Sequence, residues 1–240
     1  MEIKSLIKRG LYKIGLQVSG RQTLGWDPFL DMAKLSQAAG RPTVFDVGAN
    51  VGQTVDLFRQ HFDRPVIHAF EPGYAAFQDL KRNTTGIDDL HLNNVALGAH
   101  CGRKLFVENS DADMSSFLEP GKDCWGTVTG RREVSVETVD AYCSRASVAR
   151  IDILKSDTQG FDCEVLKGAL GMFGEHRIHL VWMEIIFNQM YKGIPRFDEI
   201  FGLLSDRGLS LVSFYTMQYQ NDRASWTDAL FIDPEYRREF

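Results

Sequence analysis

From Thr43 onward, short apolar segments alternate with stretches of helical periodicity, and this alternation limits the chain to few folds. The segments TVFDVG, VIHAF, ARIDILKSD and HLVWMEI have the length and composition of strands that are buried on both faces. Between the first two lies GQTVDLFRQHF, in which Val55, Phe58 and Phe62 recur at helical spacing. Strands separated by helices in this way form parallel sheets with helices on both faces.

The end of the chain departs from this pattern. LSLVSFYT and DALFID are separated only by the polar segment YQNDRASWT, which is too short for a crossover helix, so the two strands are antiparallel if they pair. We therefore predict an α/β fold of the Rossmann-like, class I methyltransferase type. Its sheet is mostly parallel, seven-stranded and closed by a terminal antiparallel hairpin, with helices on both faces.

The remaining segments complete this prediction. GYAAFQDLKRN, FDCEVLKGALGMF and FDEIFGLLSDRG each indicate a helix, and a third strand is expected near HLNNVAL. Between Cys101 and Arg145 the pattern is less regular. There, KLFVEN and REVSVETVD indicate two strands around the polar loop SDADMSS, which predicts an inserted ribbon over one end of the sheet.

The 240 residues suit a single α/β domain at residues 43–240, preceded by a helical extension at residues 1–42. Within that extension, MEIKSLIKRGLYKIGLQ predicts a basic amphipathic helix that packs on its own domain or on a partner subunit, or alternatively lies on an anionic membrane surface. A second helix is expected from Pro28, with Asp27 as its N-cap and Gly40 near its end.

Charge and cysteine spacing restrict the function classes. A net charge of -5 provides no basic field for nucleic acid, so no nucleic-acid partner is expected. The four cysteines lack the close pairs of a zinc or redox site. With no apolar run of membrane-spanning length and no signal sequence, the chain is expected in a reducing cytoplasm.

The strongest functional signal is VFDVGANVGQT, which places Asp46, Gly48 and Gly52 in a D-x-G-x-x-x-G loop between a strand and a helix. Glycine permits close approach of the backbone to a ligand, and a helix N-terminus offers free N–H groups to an anion. The loop, including Ala49 and Asn50, is therefore predicted to bind the methionine carboxylate of S-adenosylmethionine. It lacks the G-x-G-x-x-G spacing of dinucleotide enzymes, which leaves NAD binding as the weaker alternative.

Two further strand ends extend this cofactor site. Glu71, followed by Pro72 in AFEP, stands at the end of the second strand, where a carboxylate can accept hydrogen bonds from both ribose hydroxyls. The alternative for Glu71 is a solvated strand end before a turn. Asn94, Val95 and Ala96 follow the third strand and are predicted to contact adenine, although Asn94 could equally cap a turn.

With these blocks in place, the sequence resembles the FkbM-type methyltransferases between Thr43 and Glu184. The matching blocks are FDVGANVGQT, AFEP, NNVALG, MSSF, VETVDAY, IDILKSDTQGFDCEVLKGA and VWMEI, with a weaker match at TDALFI. The resemblance implies a class I S-adenosylmethionine enzyme that methylates oxygen, including hydroxyls of sugars and natural products. It also implies that residues 46–52 hold the methionine end, Glu71 the ribose and residues 94–96 the adenine edge. Where many relatives have D-x-E-G-x-E, this chain has Gln159 and Asp162, which removes one candidate carboxylate.

Methyl transfer to a hydroxyl needs alignment of the reacting atoms and a group that takes the proton. Asp157 and Glu184 stand at the carboxyl ends of adjacent predicted strands, where open α/β sheets bind ligands, and Lys155 shares the face of Asp157. Asp157 is predicted to contact cofactor or acceptor, and Glu184 to act as base or to position the acceptor. Lys155 is predicted to belong to the same catalytic group. The alternatives are a structural Lys155–Asp157 ion pair and a strand-terminal role for Glu184. Two carboxylates alone do not define a metal site.

The sequence thus predicts an O-methyltransferase for a glycan or other small acceptor. A non-catalytic S-adenosylmethionine-binding module, acting through partner or membrane contacts, is the alternative of another class. Methylation of RNA or protein is a third hypothesis, opposed by the net negative charge and by the absence of N-P-P-Y and D-P-P-F motifs.

Overall fold

The computed structural model describes residues 24–36 and 41–236. Its helices are α1 Pro28–Ser36, α2 Gln53–His61, α3 Tyr74–Asn83, α4 Val139–Ala146, α5 Asp162–Lys167, α6 Leu170–Gly174 and α7 Phe197–Ser205, with a 3₁₀ turn at Ala112–Met114. Its strands are β1 Thr43–Val47, β2 Val66–Phe70, β3 Leu90–Asn93, β4 Ala96–Leu97, β5 Gly102–Asn109, β6 Val128–Glu137, β7 Ile151–Ser156, β8 Ile178–Ile186, β9 Ser210–Phe214, β10 Gln218–Gln220 and β11 Arg223–Ile232.

The main sheet has the order β10-β11-β8-β7-β1-β2-β3, and β9 also pairs with β11. Strands β3, β2, β1, β7 and β8 are parallel, whereas β11 runs antiparallel to β8, β9 and β10. The predicted mostly parallel sheet with an antiparallel end is therefore confirmed.

One strand of this sheet was missed in the polar connection YQNDRASWT. Gln220 pairs with Arg223 across Asn221 and Asp222, which both have positive φ, so the connection is a tight two-residue hairpin between β10 and β11. Its polar composition hid two strand segments, because only one face of this sheet edge is covered. The sheet consequently has eight strands instead of the predicted seven.

Helices α1, α2 and α3 cover one face of the main sheet. Phe29 of α1 packs against Phe58 of α2 and Trp182 of β8, with ring centroids 5.3 and 5.1 Å apart. The carboxylate of Asp27 accepts the N–H groups of Phe29 and Leu30 at 2.8 and 3.2 Å, which confirms the predicted N-cap of α1. The predicted basic helix near the N-terminus and Gly40 lie outside the described residues.

Helices α4 to α7 cover the opposite face, and two sequence predictions fail there. FDCEVLKGALGMF forms α5 and α6 instead of one helix. The break falls at Gly168, whose carbonyl oxygen accepts the N–H of Asp140 at 3.0 Å and whose position against Gly98 O leaves no room for a side chain. The Asp140 carboxylate then accepts the N–H groups of Gly171 and Met172 at the start of α6. The strand predicted through VETVD stops at Glu137, since the Thr138 hydroxyl caps the unpredicted helix α4.

The inserted ribbon is confirmed as the antiparallel pair β5 and β6, which forms a separate three-stranded sheet with β4. The predicted third strand HLNNVAL is divided between the two sheets. The side-chain amide of Asn94 donates to the carbonyl oxygens of Glu71 (2.8 Å) and Pro72 (3.2 Å), and the chain leaves the main sheet at this point. Within the part of the chain described, no helix is long and apolar enough to cross a membrane.

Candidate active site

The glycine loop between β1 and α2 is held by its neighbours in an uncommon backbone conformation. Gly48 and Gly52 have φ values of 78° and 101°, and the N–H groups of Gly48 and Ala49 both donate to Phe70 O at 3.0 Å. A Cβ on Gly48 would lie only 1.9 Å from Asp157 O at the end of β7. Glycine is therefore required at 48 by the backbone of the adjacent strand, which adds to the reason of ligand approach given by the sequence.

We expect Gly48→Ala to destabilise the protein severely, by more than the ~1–2 kcal/mol of left-handed backbone strain alone, because the clashing atom belongs to backbone and cannot rotate away. Gly86→Ala is the matched control, since Gly86 has a similar φ of 80° but open space around its Cβ position. Thermal unfolding of both variants measures the difference. Equal melting temperatures for the two would contradict the role of the Asp157 carbonyl.

A buried ion pair supports this loop from below. Lys155 Nζ lies 3.0 Å from Asp46 Oδ1 and donates to Gly48 O at 2.8 Å, and both side chains are almost fully buried. Burial lowers the pKa of Lys155, but the carboxylates of Asp46 and Asp157 more than offset this and raise it above its usual value. Lys155 Nζ is 3.9 Å from Asp157 Oδ2, so the closer partner of the lysine is Asp46.

Glu71 closes the other side of the loop. Its carboxylate oxygens accept the N–H groups of Asn50 (3.0 Å) and Gly73 (2.7 Å), which ties the end of β2 to the glycine loop. Burial raises the pKa of Glu71 to about 7, although both hydrogen bonds and Lys155 oppose the shift. Glu71 is thus a carboxylate whose charge can change near neutral pH.

A cleft lies above the loop, at the carboxyl ends of β1, β2 and β7. Among the predicted site residues it is lined by Gly48, Asn50, Glu71, Pro72, Ala96 and Asp157. The other predicted residues do not line it. Asp46 and Ala49 are buried, and Gly52 is the N-cap residue that precedes α2. The side chain of Asn94 donates hydrogen bonds to the backbone of the turn after β2, and Val95 lies beside it.

The inserted ribbon supplies a wall of the cleft that the sequence argument missed. Phe106 and Phe117 line it with ring centroids 5.1 Å apart, and Asp113 contributes a carboxylate that accepts a hydrogen bond from the Asn50 side chain. The MSSF block contains Phe117 and was the available signal for this wall. The sequence does not indicate that this block pairs with β5, because that pairing depends on how the loop folds.

Three carboxylates stand in line across adjacent strands beside the cleft. Asp157 follows β7, Glu184 lies on β8, and Asp228 pairs with Glu184 across the β8–β11 ladder. The Gln159 amide donates to Asp157 Oδ1 (3.0 Å) and Glu184 Oε2 (3.2 Å), while its own oxygen accepts from Tyr191 OH at 2.7 Å. We name Asp157, Glu184 and Asp228 the carboxylate row.

The row is electrostatically unfavourable in its ionised form. Burial and the carboxylates of Asp157, Asp162 and Asp228 raise the pKa of Glu184 well above its usual value. Burial and Asp157 raise the pKa of Asp228 to about 6, against the attraction of Lys155. Sequence reasoning identified Asp157 and Glu184 because both stand at the carboxyl ends of parallel strands. It missed Asp228 because β11 runs antiparallel and Asp228 lies in the middle of that strand.

Two polar atoms at the cleft indicate that it is built for a polar ligand. Asn50 Oδ1 and Thr158 Oγ1 are buried, and neither has a hydrogen-bond partner in residues 24–36 or 41–236. Buried polar groups are almost always hydrogen-bonded, so a ligand with donor groups suits this position. In the same described ranges, no group of three or more His, Cys, Asp or Glu side chains is arranged to hold a metal ion.

The solved structures that match this chain include two bacterial proteins of low sequence identity. A Streptococcus mutans protein solved with S-adenosylhomocysteine has 11% identity and a TM-score of 0.47, covering 85% of this chain and 95% of that one. A second protein, from Listeria monocytogenes, has 9% identity and a TM-score of 0.48, covering 85% of this chain and 96% of that one.

Sequence comparison is more specific. The 2-O-methyltransferase NoeI of Sinorhizobium fredii is 26% identical over 163 residues, which are 63% of this chain and 66% of that protein, just under two thirds of its length. The sequence model of the methyltransferase FkbM domain matches residues 46–211, more than half of the chain. The chain therefore belongs to the FkbM methyltransferase family.

Proposed function

We propose that this protein is an S-adenosylmethionine-dependent methyltransferase that methylates a hydroxyl oxygen of a sugar or a similar polyhydroxylated small molecule, with Glu184 as the general base. The carboxylate row beside the cleft is the observation that supports this function most directly, because carboxylates both accept hydrogen bonds from hydroxyl groups and take up their protons. The name of the 26%-identical relative, a 2-O-methyltransferase, agrees with oxygen as the acceptor atom.

The cleft residues suit the cofactor. Glu71 would accept hydrogen bonds from the ribose hydroxyls, and the unpartnered oxygens of Asn50 and Thr158 would accept from donor groups of the bound molecule. Phe106 and Phe117 provide aromatic surface for the adenine beside Ala96. Asp46 and Lys155 lie below the loop, so we assign them the role of holding its backbone in place and no contact with the reacting atoms.

When bound, S-adenosylmethionine supplies a methyl group activated by its sulfonium. The residues of this chain then have two tasks, to align the acceptor oxygen and to remove its proton. Asp157 lines the cleft and would position the acceptor, while Glu184 would receive the hydroxyl proton on its carboxylate. The Gln159 amide donates a hydrogen bond to each of the two carboxylates, and its oxygen accepts the Tyr191 hydroxyl, which fixes Gln159 between them.

Cofactor affinity is expected to depend on pH through Glu71. Its pKa of about 7 means that the free protein is increasingly protonated at this carboxyl below neutrality. Ribose hydroxyls donate to the ionised form, so binding favours deprotonation, and the affinity for S-adenosylhomocysteine should fall by up to about tenfold per pH unit below pH 7. Calorimetry between about pH 6 and about pH 8 measures this slope.

Glu71→Gln should bind S-adenosylhomocysteine more weakly and with a flatter pH dependence, because it has no charge to lose. Glu184→Gln, measured alongside, separates the contribution of Glu71 from titration of the carboxylate row. If the wild-type affinity were independent of pH, or increased toward acidic pH, Glu71 would not be the ribose-binding group.

The function itself is tested with labelled S-adenosylmethionine and separate panels of saccharides, phenols, RNA and proteins. Label transferred to a saccharide through an alkali-stable ether linkage, with release of S-adenosylhomocysteine, supports the proposal. Transfer confined to RNA or protein would replace the acceptor class. Binding of S-adenosylhomocysteine with no turnover on any panel would favour a non-catalytic module.

A further inference from the structure

Two of the four tryptophans of the chain line one groove next to the carboxylate row, and a third packs against one of them. Trp26 and Trp226 both line a small notch within this groove, and Trp125 contacts Trp226 with ring centroids 5.7 Å apart. Trp26 is 64% exposed and Trp125 38% exposed. We name this feature, formed by Trp26, Trp125 and Trp226, the tryptophan groove. Large exposed aromatic surfaces of this kind commonly mark binding sites.

The position of Trp26 is fixed by the fold. The preceding Gly25 has a φ of 95°, and its N–H donates to Asp31 Oδ2, which also accepts the hydroxyl of Tyr215 at 3.0 Å. Asp31 and Tyr215 are both buried. Trp125 is held on the other side by a hydrogen bond from Nε1 to Asp111 Oδ2 at 3.0 Å. The aromatic rings are thus presented to solvent by a buried polar network and by the inserted ribbon.

The groove is continuous with the proposed reaction site. Asp228 lines the notch together with Trp226, which lies two residues earlier on the same face of β11. Asp228 is opposite Glu184, and Glu184 is bridged through Gln159 to Asp157 in the cofactor cleft. Two strand spacings, about 10 Å, separate Asp157 from Asp228. This span exceeds the width of one pyranose ring before the tryptophans are reached.

The chemistry of the walls specifies what can occupy this space. Thr216, Gln218 and Asp228 line the notch together with the indole rings of Trp26 and Trp226, so a purely apolar ligand would leave polar groups without partners. The three carboxylates of the row outnumber the lysine beside them, Lys155, so the negative charge of a phosphate, sulfate or carboxylate group in the groove would be repelled. Sugar rings offer both surfaces that these walls need, C–H faces for indole and hydroxyl donors for carboxylates.

We propose that the tryptophan groove binds the non-reacting rings of an uncharged oligosaccharide of at least two residues, whose reacting ring lies at the carboxylate row. This assignment rests on the proposed function, since it places the remainder of the acceptor relative to Glu184. It predicts that the length of the acceptor affects the Michaelis constant. The groove does not touch the reacting atoms, so the turnover number at saturation should change little.

The test is a glycan array with neutral, amino, sulfated and sialylated saccharides of one to several residues, probed with the enzyme saturated with S-adenosylhomocysteine. We expect binding to neutral glycans of two or more residues. Trp26→Ala should weaken it about tenfold. Trp26 is exposed, so this variant should fold normally, and Trp226→Phe tests the second ring conservatively. Tyr219→Ala is the control, since Tyr219 is 72% exposed on β10 but does not line the notch.

Several outcomes would overturn the proposal. These are equal binding of monosaccharides and longer glycans, a preference for anionic glycans, no binding to any saccharide, or unchanged binding by Trp26→Ala. Kinetics on any saccharide that is methylated distinguish this failure from failure of the proposed function. If Glu184→Gln abolishes transfer while Trp26→Ala leaves the Michaelis constant unchanged, the hydroxyl chemistry stands and the groove assignment does not.

Discussion

Glu184→Gln is expected to lower the turnover number for methyl transfer by a factor of about 10²–10⁴, the usual contribution of a positioned general base. Glutamine can still accept the hydrogen bond that Gln159 donates to Glu184 Oε2 at 3.2 Å, but it cannot take up the hydroxyl proton. Affinity for S-adenosylhomocysteine should be nearly unchanged, because Glu184 does not line the cofactor cleft. Steady-state kinetics and calorimetry measure the two effects separately.

The pH dependence gives this prediction a second readout. Only ionised Glu184 can accept a proton, and its pKa is raised by burial and by neighbouring carboxylates. Wild-type activity should therefore increase with pH along a limb that lies above the usual titration range of a carboxylate. The residual activity of Glu184→Gln should lack this limb. A limb that persists in the variant would assign the base to another group.

Stability should change in the opposite direction to activity. A carboxyl whose folded-state pKa is raised contributes stability at acidic pH that is lost as the pH rises through that pKa. At about pH 8 the glutamine variant should therefore be at least as stable as the wild type. Loss of activity together with this stability excludes misfolding as the cause. Glu199→Gln, on the exposed side of α7, is the control and should match the wild type in both measurements.

Lys155→Met is expected to be the most destabilising of the side-chain substitutions considered. It leaves the Asp46 carboxylate fully buried and without its nearest cation. Removal of one partner of a buried ion pair costs about 3–5 kcal/mol. For a chain of this size this corresponds to a decrease of roughly 6–20 °C in melting temperature. Cofactor affinity should also decrease, because Gly48 O loses its hydrogen-bond donor.

The double variant Asp46→Asn, Lys155→Met separates the pair from the space that it fills. With no buried charge left, the double variant should recover part of the lost stability, whereas independent contributions would make it worse than either single variant. Lys81→Met on the exposed surface of α3 is the matched control. If Lys155→Met had the same melting temperature as Lys81→Met, the ion pair would not support the loop.

Much of the cofactor site follows from local sequence. The order of Asp46, Gly48 and Glu71 at successive strand ends was readable, because parallel strands joined by helices bring their carboxyl ends to one edge of the sheet. The N-cap at Asp27 was readable for the same local reason, as it depends on hydrogen bonds within one helical turn. Such features involve few residues, and a pattern along the chain suffices to predict them.

Other features depend on contacts between distant segments. The helix predicted over residues 161–173 is divided at Gly168, whose carbonyl oxygen accepts the N–H of Asp140 and which packs against Gly98. Neither contact is indicated by the helical segment alone. By sequence, Gln159 only removes a candidate carboxylate. In the structure its amide donates to both Asp157 and Glu184, and its oxygen accepts the hydrogen bond of the Tyr191 hydroxyl. Its role depends on Glu184 and Tyr191, which come from later in the chain, meeting around it.

The amino-acid sequence by itself determined the alternation of strands and helices, the cofactor loop and the family, because these are encoded by periodicity and by short motifs. Only the tertiary structure decided which side chains surround the acceptor. Asp228 and Trp226 enter the site because β11 inserts antiparallel beside β8, and Trp26 enters because Asp31 and Tyr215 fix its turn. Asp31 and Tyr215 are 184 positions apart in the sequence, and Glu184 and Asp228 meet only through strand pairing, so no local pattern records these contacts.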